Sequence, residues 1–278
     1  MTQTNIDTEP LYHPDQTVEP FVNVGRESLP IAIKHGMELW WDESTPTKRL
    51  DDRNGSSQFS RFVNGRIEGK LAEVAFSDVL ERWFDVESKV DWRIYGDYET
   101  TDNGDLRCVL DDDGRSHQIG VDVDVKKTKP WNSWLAVRKE TFKRLSENAP
   151  VVLSKLRIED DIQLDPWEDV GNWDTVDSDS EFRKRLLDFA DEVFPLKVEF
   201  VGTAYPSEFT ESFDKGDRLY DPVTGEDIGP QLKRPNRGIF VENLDASAKR
   251  WNRIVAEICA EMPADNWRPL PIADDNGT

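Results

Sequence analysis

The chain has few of the residues on which sulfur, zinc or phosphate-loop chemistry is built. Its 278 residues include two cysteines, Cys108 and Cys259, and three histidines, His13, His35 and His117. Two cysteines so far apart give neither a zinc spacing nor a disulfide framework, which points to a reduced, cytoplasmic setting. The histidines are scattered, without a His-x-x-x-His pair or a Cys-His dyad, so each is expected to be structural. No run of eighteen apolar residues and no charged-then-apolar leader occurs, so neither a membrane span nor a signal peptide is expected. There is no internal repeat, no Walker phosphate loop and no Gly-x-Gly-x-x-Gly, which removes the usual support for ATP- and dinucleotide-dependent chemistry.

Acid is what the chain has in excess. Its 56 acidic residues against 35 basic ones give a net charge of -21. By itself that balance opposes a polyanion partner, because like charges repel over a Debye length. The composition also resembles that of proteins from extremely halophilic archaea, where acidic surfaces keep chains soluble in molar salt. At about 1 M salt the screening length is about 3 Å, so local charge decides whether nucleic acid can approach. Locally there are two basic islands. Lys127, Lys129, Arg138, Lys139 and Lys143 follow Lys126 with Glu140 as the only acid before Arg144, and Lys233, Arg234 and Arg237 lie in an acid-free stretch from Ile228 to Val241. Both are candidate phosphate contacts, with a solvated basic face as the alternative.

The first island begins at a patterned strand. Val-Asp-Val-Asp-Val-Lys from Val121 to Lys126 places the valines on one face and Asp122, Asp124 and Lys126 on the other, with Asp124 and Lys126 roughly 7 Å apart along the strand. Leu106 to Leu110 reads as a partner strand, joined through Asp111-Asp112-Asp113-Gly114, whose Asp-Gly step favours a tight turn. Asp105 then falls at the same end of the hairpin as Lys126. Upstream, Ile67, Leu71, Val74, Ala75, Val79 and Trp83 give a helical period over residues 67 to 84. Glu73 shares a stripe of that helix with Phe76, Leu80 and Phe84, so its carboxylate needs a partner. A metal, Lys70 and Arg66 are the candidates.

Glu73, Asp105, Asp124 and Lys126 resemble, in order and in element type, the PD-(D/E)XK nuclease superfamily with its restriction-endonuclease-like fold. Gly69-Lys70-Leu71-Ala72-Glu73 is similar to the helix motif of its Holliday-junction-resolvase-like branch. The family's proline before the first aspartate is replaced by Gly104. The resemblance implies that Glu73, Asp105 and Asp124, with the Val125 carbonyl, hold one or two Mg²⁺ or Mn²⁺ ions. It implies that Lys126 orients or deprotonates the attacking water and stabilises the transition state. Lys70, Lys127 and Lys129 would join the two islands in holding DNA.

The expected architecture is α/β: a restriction-endonuclease-like core with a mixed central sheet of about four or five strands and helices on its faces. Residues 1–59 read as an N-terminal extension, with a draped arm to about residue 27, one helix opened by Ser28-Leu29-Pro30 and running through Trp41, and a polar connector from Ser44 to Ser60. Residues 60–262 read as the nuclease-like domain, and 263–278 as a tail. A helix is expected from Trp131 to Leu145, its Trp131 and Trp134 either packing on the sheet or stacking on bases. Strands are expected at Pro150–Leu156 and Leu196–Gly202, and a helix from Glu181 to Phe194 capped near Ser178 or Ser180. The acidic stretch 158–179 reads as a loop insertion, and a last helix is expected behind an Asp245 cap. Three functions fit: a Mg²⁺-dependent DNA endonuclease in restriction, defence or repair; a nuclease-like module that binds nucleic acid or a protein without cutting; and an acidic assembly subunit engaging partner proteins or a second copy.

Overall fold

The computed structural model describes residues 21–42, 58–95, 104–159, 161–228, 231–263 and 265–272. Among them the strands are β1 (Phe21–Val24), β2 (Glu87–Val90), β3 (Leu106–Leu110), β4 (Ser116–His117), β5 (Asp124–Thr128), β6 (Trp134–Arg138), β7 (Val151–Lys155), β8 (Leu196–Ala204), β9 (Glu211–Phe213), β10 (Leu219–Tyr220), β11 (Asp227–Ile228) and β12 (Asn236–Phe240). The helices are α1 (Leu29–Trp41), α2 (Gln58–Phe84), α3 (Lys139–Phe142), α4 (Trp173–Ser178), α5 (Ser180–Val193) and α6 (Ala248–Ile258).

The centre is a mixed four-stranded sheet in the order β1-β8-β7-β5, antiparallel except for the parallel β5–β7 pair. Alternation along β7 explains how it is covered, because side chains of period two serve both faces. Val152 joins Val125 and Phe200 in the larger core, where α1, α2, α5 and α6 also bury their apolar sides. Val151 and Leu153 point the other way, to a second core shared with Leu135, Val137, Phe209 and Ile239. That second face is therefore covered by the antiparallel sheet β6-β12-β9, where helices were expected on both faces.

Several boundaries differ from expectation for definable reasons. α2 begins at Gln58, nine residues before the expected start; Phe59, Val63 and Ile67 continue its buried stripe, while Gly65 and Gly69 lower local helix propensity and mask it. The expected helix over 131–145 is the strand β6 followed by the short α3, because the compact apolar run Trp-Leu-Ala-Val finds a partner strand in β12. Stretch 158–179 is no open insertion. Ile162, Leu164, Trp167 and Val176 are buried, Asn64 of α2 bonds both the N–H and the carbonyl of Ile162, and Ser60 bonds Asp165 and Leu164. Phe21–Val24, expected in the draped arm, pairs with β8 at the sheet edge. Asp179, whose carboxylate accepts from the N–H groups of Glu181 and Phe182, caps α5, and Ser247 caps α6 while Asp245 braces it from outside. Most of the polar connector, residues 43–57, lies outside the described residues, as do residues 1–20 of the arm and 273–278 of the tail.

Candidate active site

The site forms where β5 starts. Asp124 is the first residue of that strand, where the expected strand ended at Lys126, and its N–H donates to Pro150 O at 3.0 Å. Valine alternation still sorts the faces: Val123 and Val125 are buried, while Asp124 and Lys126 lie on the other side. β3 pairs with β2 and, across the Asp111–Gly114 turn, only with the two-residue β4. The hairpin then opens and its strands meet again at their base. There Asp105 N donates to Val123 O at 3.0 Å, and the Val125 N–H donates to Asp105 Oδ2 at 2.5 Å. Gly104 makes this approach possible. Its φ is +96°, and a Cβ there would lie 2.9 Å from Val123 N. Proline, fixed near φ −65°, cannot occupy that position.

Lys126 is the electrostatic centre of the cluster. Its ammonium donates to Asp124 Oδ1. Burial pulls its pKa down, but attraction from Asp124, then Asp105, then Glu73 outweighs this and holds it above the ordinary lysine value. Three acids of the expected motif therefore act on its lysine here. The second oxygen of Asp124, Oδ2, is buried and has no hydrogen-bond partner among the described residues.

Glu73 is buried on α2 and accepts from Lys70 Nζ at 2.6 Å. Lys70 is therefore one of its partners, and the Lys70 ammonium also donates to Asp91 O at 2.6 Å and lies 5.6 Å from the Trp92 ring centroid. Lys70 thus faces inward, against its expected role on DNA. Among the described residues, no three His, Cys, Asp or Glu side chains are gathered closely enough to form a ready-made metal cage.

Two carboxylates escaped the sequence reading. Asp91 directly follows β2, its N–H donating to Asp105 O at 3.0 Å. Burial would raise its pKa, yet hydrogen bonds from Arg93 and Tyr95 overcome that and hold it at about 2. An aspartate closing a strand next to an arginine was the available signal. Glu68, buried on α2, takes Lys129 on one oxygen at 2.8 Å and Lys127 on the other. Burial and the Lys129 charge draw Lys127 down to about 8, against the opposing attraction of Asp161. His35 packs edge-on to Trp92 and is kept neutral, with a pKa near 4, by burial and by the charge of Lys70.

The basic islands are brought side by side, because β6 and β12 pair with Arg138 opposite Asn236 and Lys139 N bonded to Pro235 O. Arg138, Lys143 and Lys233 are exposed, and Arg234 is half-buried. The others are committed within the chain. Lys127 and Lys129 hold Glu68, Lys139 pairs with Asp214 at 3.4 Å, and Arg237 donates to Phe209 O while lying over the Phe142 ring.

No family model matches the chain, and no curated protein or solved structure matches it. Among the described residues, no helix is long and apolar enough to cross a membrane.

Proposed function

We propose that this chain is a metal-dependent DNA endonuclease with a PD-(D/E)XK-type centre. The observation that carries the reading is the Asp124–Lys126 ion pair, with Asp105 bonded to the N–H of Val125 between them, beside an Asp124 oxygen that is buried and, among the described residues, unpartnered. A buried carboxylate oxygen without a donor is costly, and a cation is the partner it fits. The donor set is all oxygen, as Mg²⁺ and Mn²⁺ prefer. Asp124 would hold the ion, and the resemblance would add Asp105, Glu73 and the Val125 carbonyl as further donors. Bound there, the metal would neutralise phosphate charge and acidify a water.

The protein's own groups divide the remaining work. Lys126, with its pKa raised, stays an ammonium at neutral pH, so its role is to stabilise charge on the phosphate in the transition state rather than to act as a base. Lys70 fixes the Glu73 carboxylate against the end of β2. Arg138, Lys143 and Lys233 remain available to DNA phosphates. A restriction-endonuclease-like core is part of the same proposal, supported by the long helix carrying Glu73 against the sheet that carries Asp124.

A second reading, a nuclease-like module that binds nucleic acid without cutting, is favoured by the Lys126 ammonium already occupying one Asp124 oxygen and by the lack of a ready-made cage among the described residues. The assembly-subunit reading loses its free acidic loop, since 158–179 is built into the core. Linear, supercoiled and branched DNA incubated in high KCl with and without Mg²⁺ or Mn²⁺ separates the first two. Metal-dependent cutting that Asp124→Ala abolishes supports the enzyme; retention of DNA without cutting supports the module.

A further inference from the structure

Of the ten tryptophans, nine are buried or half-buried, and Trp131 alone is 67% exposed. It stands on the turn that leaves β5, five residues beyond Lys126 and so within roughly 17 Å of it along the chain. That turn is held rigid. Asn132 N donates to Lys129 O at 3.0 Å, the Asn132 side chain donates to Thr128 Oγ1 at 2.6 Å, and Trp134 N donates back to Asn132 Oδ1 at 3.2 Å. The Arg157 guanidinium lies 5.4 Å from the Trp131 ring centroid. Next to it a shallow groove of about 370 Å³ begins at Pro130 and is lined by Lys155, Arg157 and Lys197, with Glu199 its one acid, paired to Lys197 at 2.6 Å. In a chain of net charge -21, three cations to one acid beside an exposed indole is a local reversal.

We infer that Trp131, with Arg157 and this groove, is a stacking platform for single-stranded nucleic acid. The indole offers a flat apolar surface to a base, and the groove cations offer phosphate contacts to the backbone on either side of it. Exposed ion pairs such as Lys197–Glu199 and Arg157–Glu159 exchange easily for phosphate, so the cations are not locked away. The inference deepens the nuclease reading, on which it rests for the purpose of binding: the strand leaving the Lys126 site would be a separated one. The binding itself does not require cutting.

Fluorescence anisotropy of a labelled oligothymidylate of about 12 nucleotides tests this, without divalent metal and in an Asp124→Ala background so that no cleavage intervenes. Trp131→Ala is expected to weaken binding about tenfold and Trp131→Phe to keep most of it. An abasic oligomer should bind the parent protein no better than oligothymidylate binds Trp131→Ala. In about 1 M KCl the Trp131 effect persists while that of Arg157→Ala shrinks, since stacking is not screened by salt. Oligouridylate run alongside distinguishes RNA from DNA, and Trp131-dependent binding of either supports the inference. Equal affinity of the parent and Trp131→Ala proteins, or of normal and abasic oligomers, overturns it. Were wild type to cut nothing with any metal while the Trp131 dependence held, the nuclease reading would fall and the platform would stand.

Discussion

Asp124 and Lys126, two residues apart on one face of β5, form a direct ion pair that leaves the other Asp124 oxygen buried without a partner among the described residues. Among those residues, one half of the carboxylate is satisfied and the other half is not. Asp105 and Glu73 add their charge from a neighbouring strand end and from α2, so the ammonium is held by acids from three elements.

Lys126 titrates above 10.5 in the folded chain. A raised folded pKa contributes stability that is complete below the unfolded value and is lost as pH rises through the folded one. The difference in urea midpoint between wild type and Lys126→Met should therefore stay constant through neutral pH and shrink above about pH 10.5. A difference growing with alkaline pH would contradict the assignment.

Asp91 works in the opposite direction. Its folded pKa of about 2 lies below the ordinary 3.8, and its side chain is 4% exposed, so its contribution is complete above 3.8 and lost as pH falls through about 2. Asp91→Asn should cost about 2 kcal/mol near neutral pH, from a shift of nearly two units, and progressively less as acid is added. Chemical denaturation of both proteins from neutral to acidic pH measures it.

Glu68 accepts two ammonium groups at once, and removing its charge should separate stability from binding. Glu68→Gln leaves Lys127 and Lys129 unpaired, so a loss of about 1–3 kcal/mol is expected. The two freed cations should tighten DNA binding and steepen its salt dependence by about one or two phosphate contacts. Thermal melting and filter binding across a salt series read both effects.

Gly104 is required by backbone conformation. Gly104→Ala should destabilise by more than about 1 kcal/mol, because a Cβ at φ +96° meets the Val123 backbone, and Gly104→Pro should cost more still. Equal melting temperatures for wild type and Gly104→Ala would remove this explanation of why glycine precedes Asp105.

These contacts show where the sequence was legible. The valine alternation placed Asp124 and Lys126 on one face, and the helical stripe put Glu73 in the core, since both patterns are local and periodic. α1, β7, β8 and α5 were likewise bounded by their own turn and cap residues, whereas β1, expected in the draped arm, becomes a strand only through its pairing with β8. Trp134–Arg138 was misread because a short apolar run becomes a strand only when a distant partner, here β12, supplies the hydrogen bonds. The partner of Lys127 and Lys129 was hidden for the same reason, whereas the Lys70–Glu73 pair, three residues apart on one helix, was legible. The charge of Lys127 and Lys129 is visible in the chain, but whether they face phosphate or the Glu68 carboxylate depends on how α2 lies against β5. Stretch 158–179 looked like an insertion because its acids outnumber its apolar residues, yet five of the latter are buried and Ser60 and Asn64 of α2 bond its backbone.

The central claim is that Asp124 and Lys126 act as one catalytic unit, and a mutant cycle on Mg²⁺-dependent nicking of supercoiled DNA tests it most directly. Asp124→Ala and Lys126→Ala should each reduce the rate about 10²–10³-fold, and the double variant should lose no more than the worse single one. Nicking by wild type that survives both substitutions unchanged would contradict the claim.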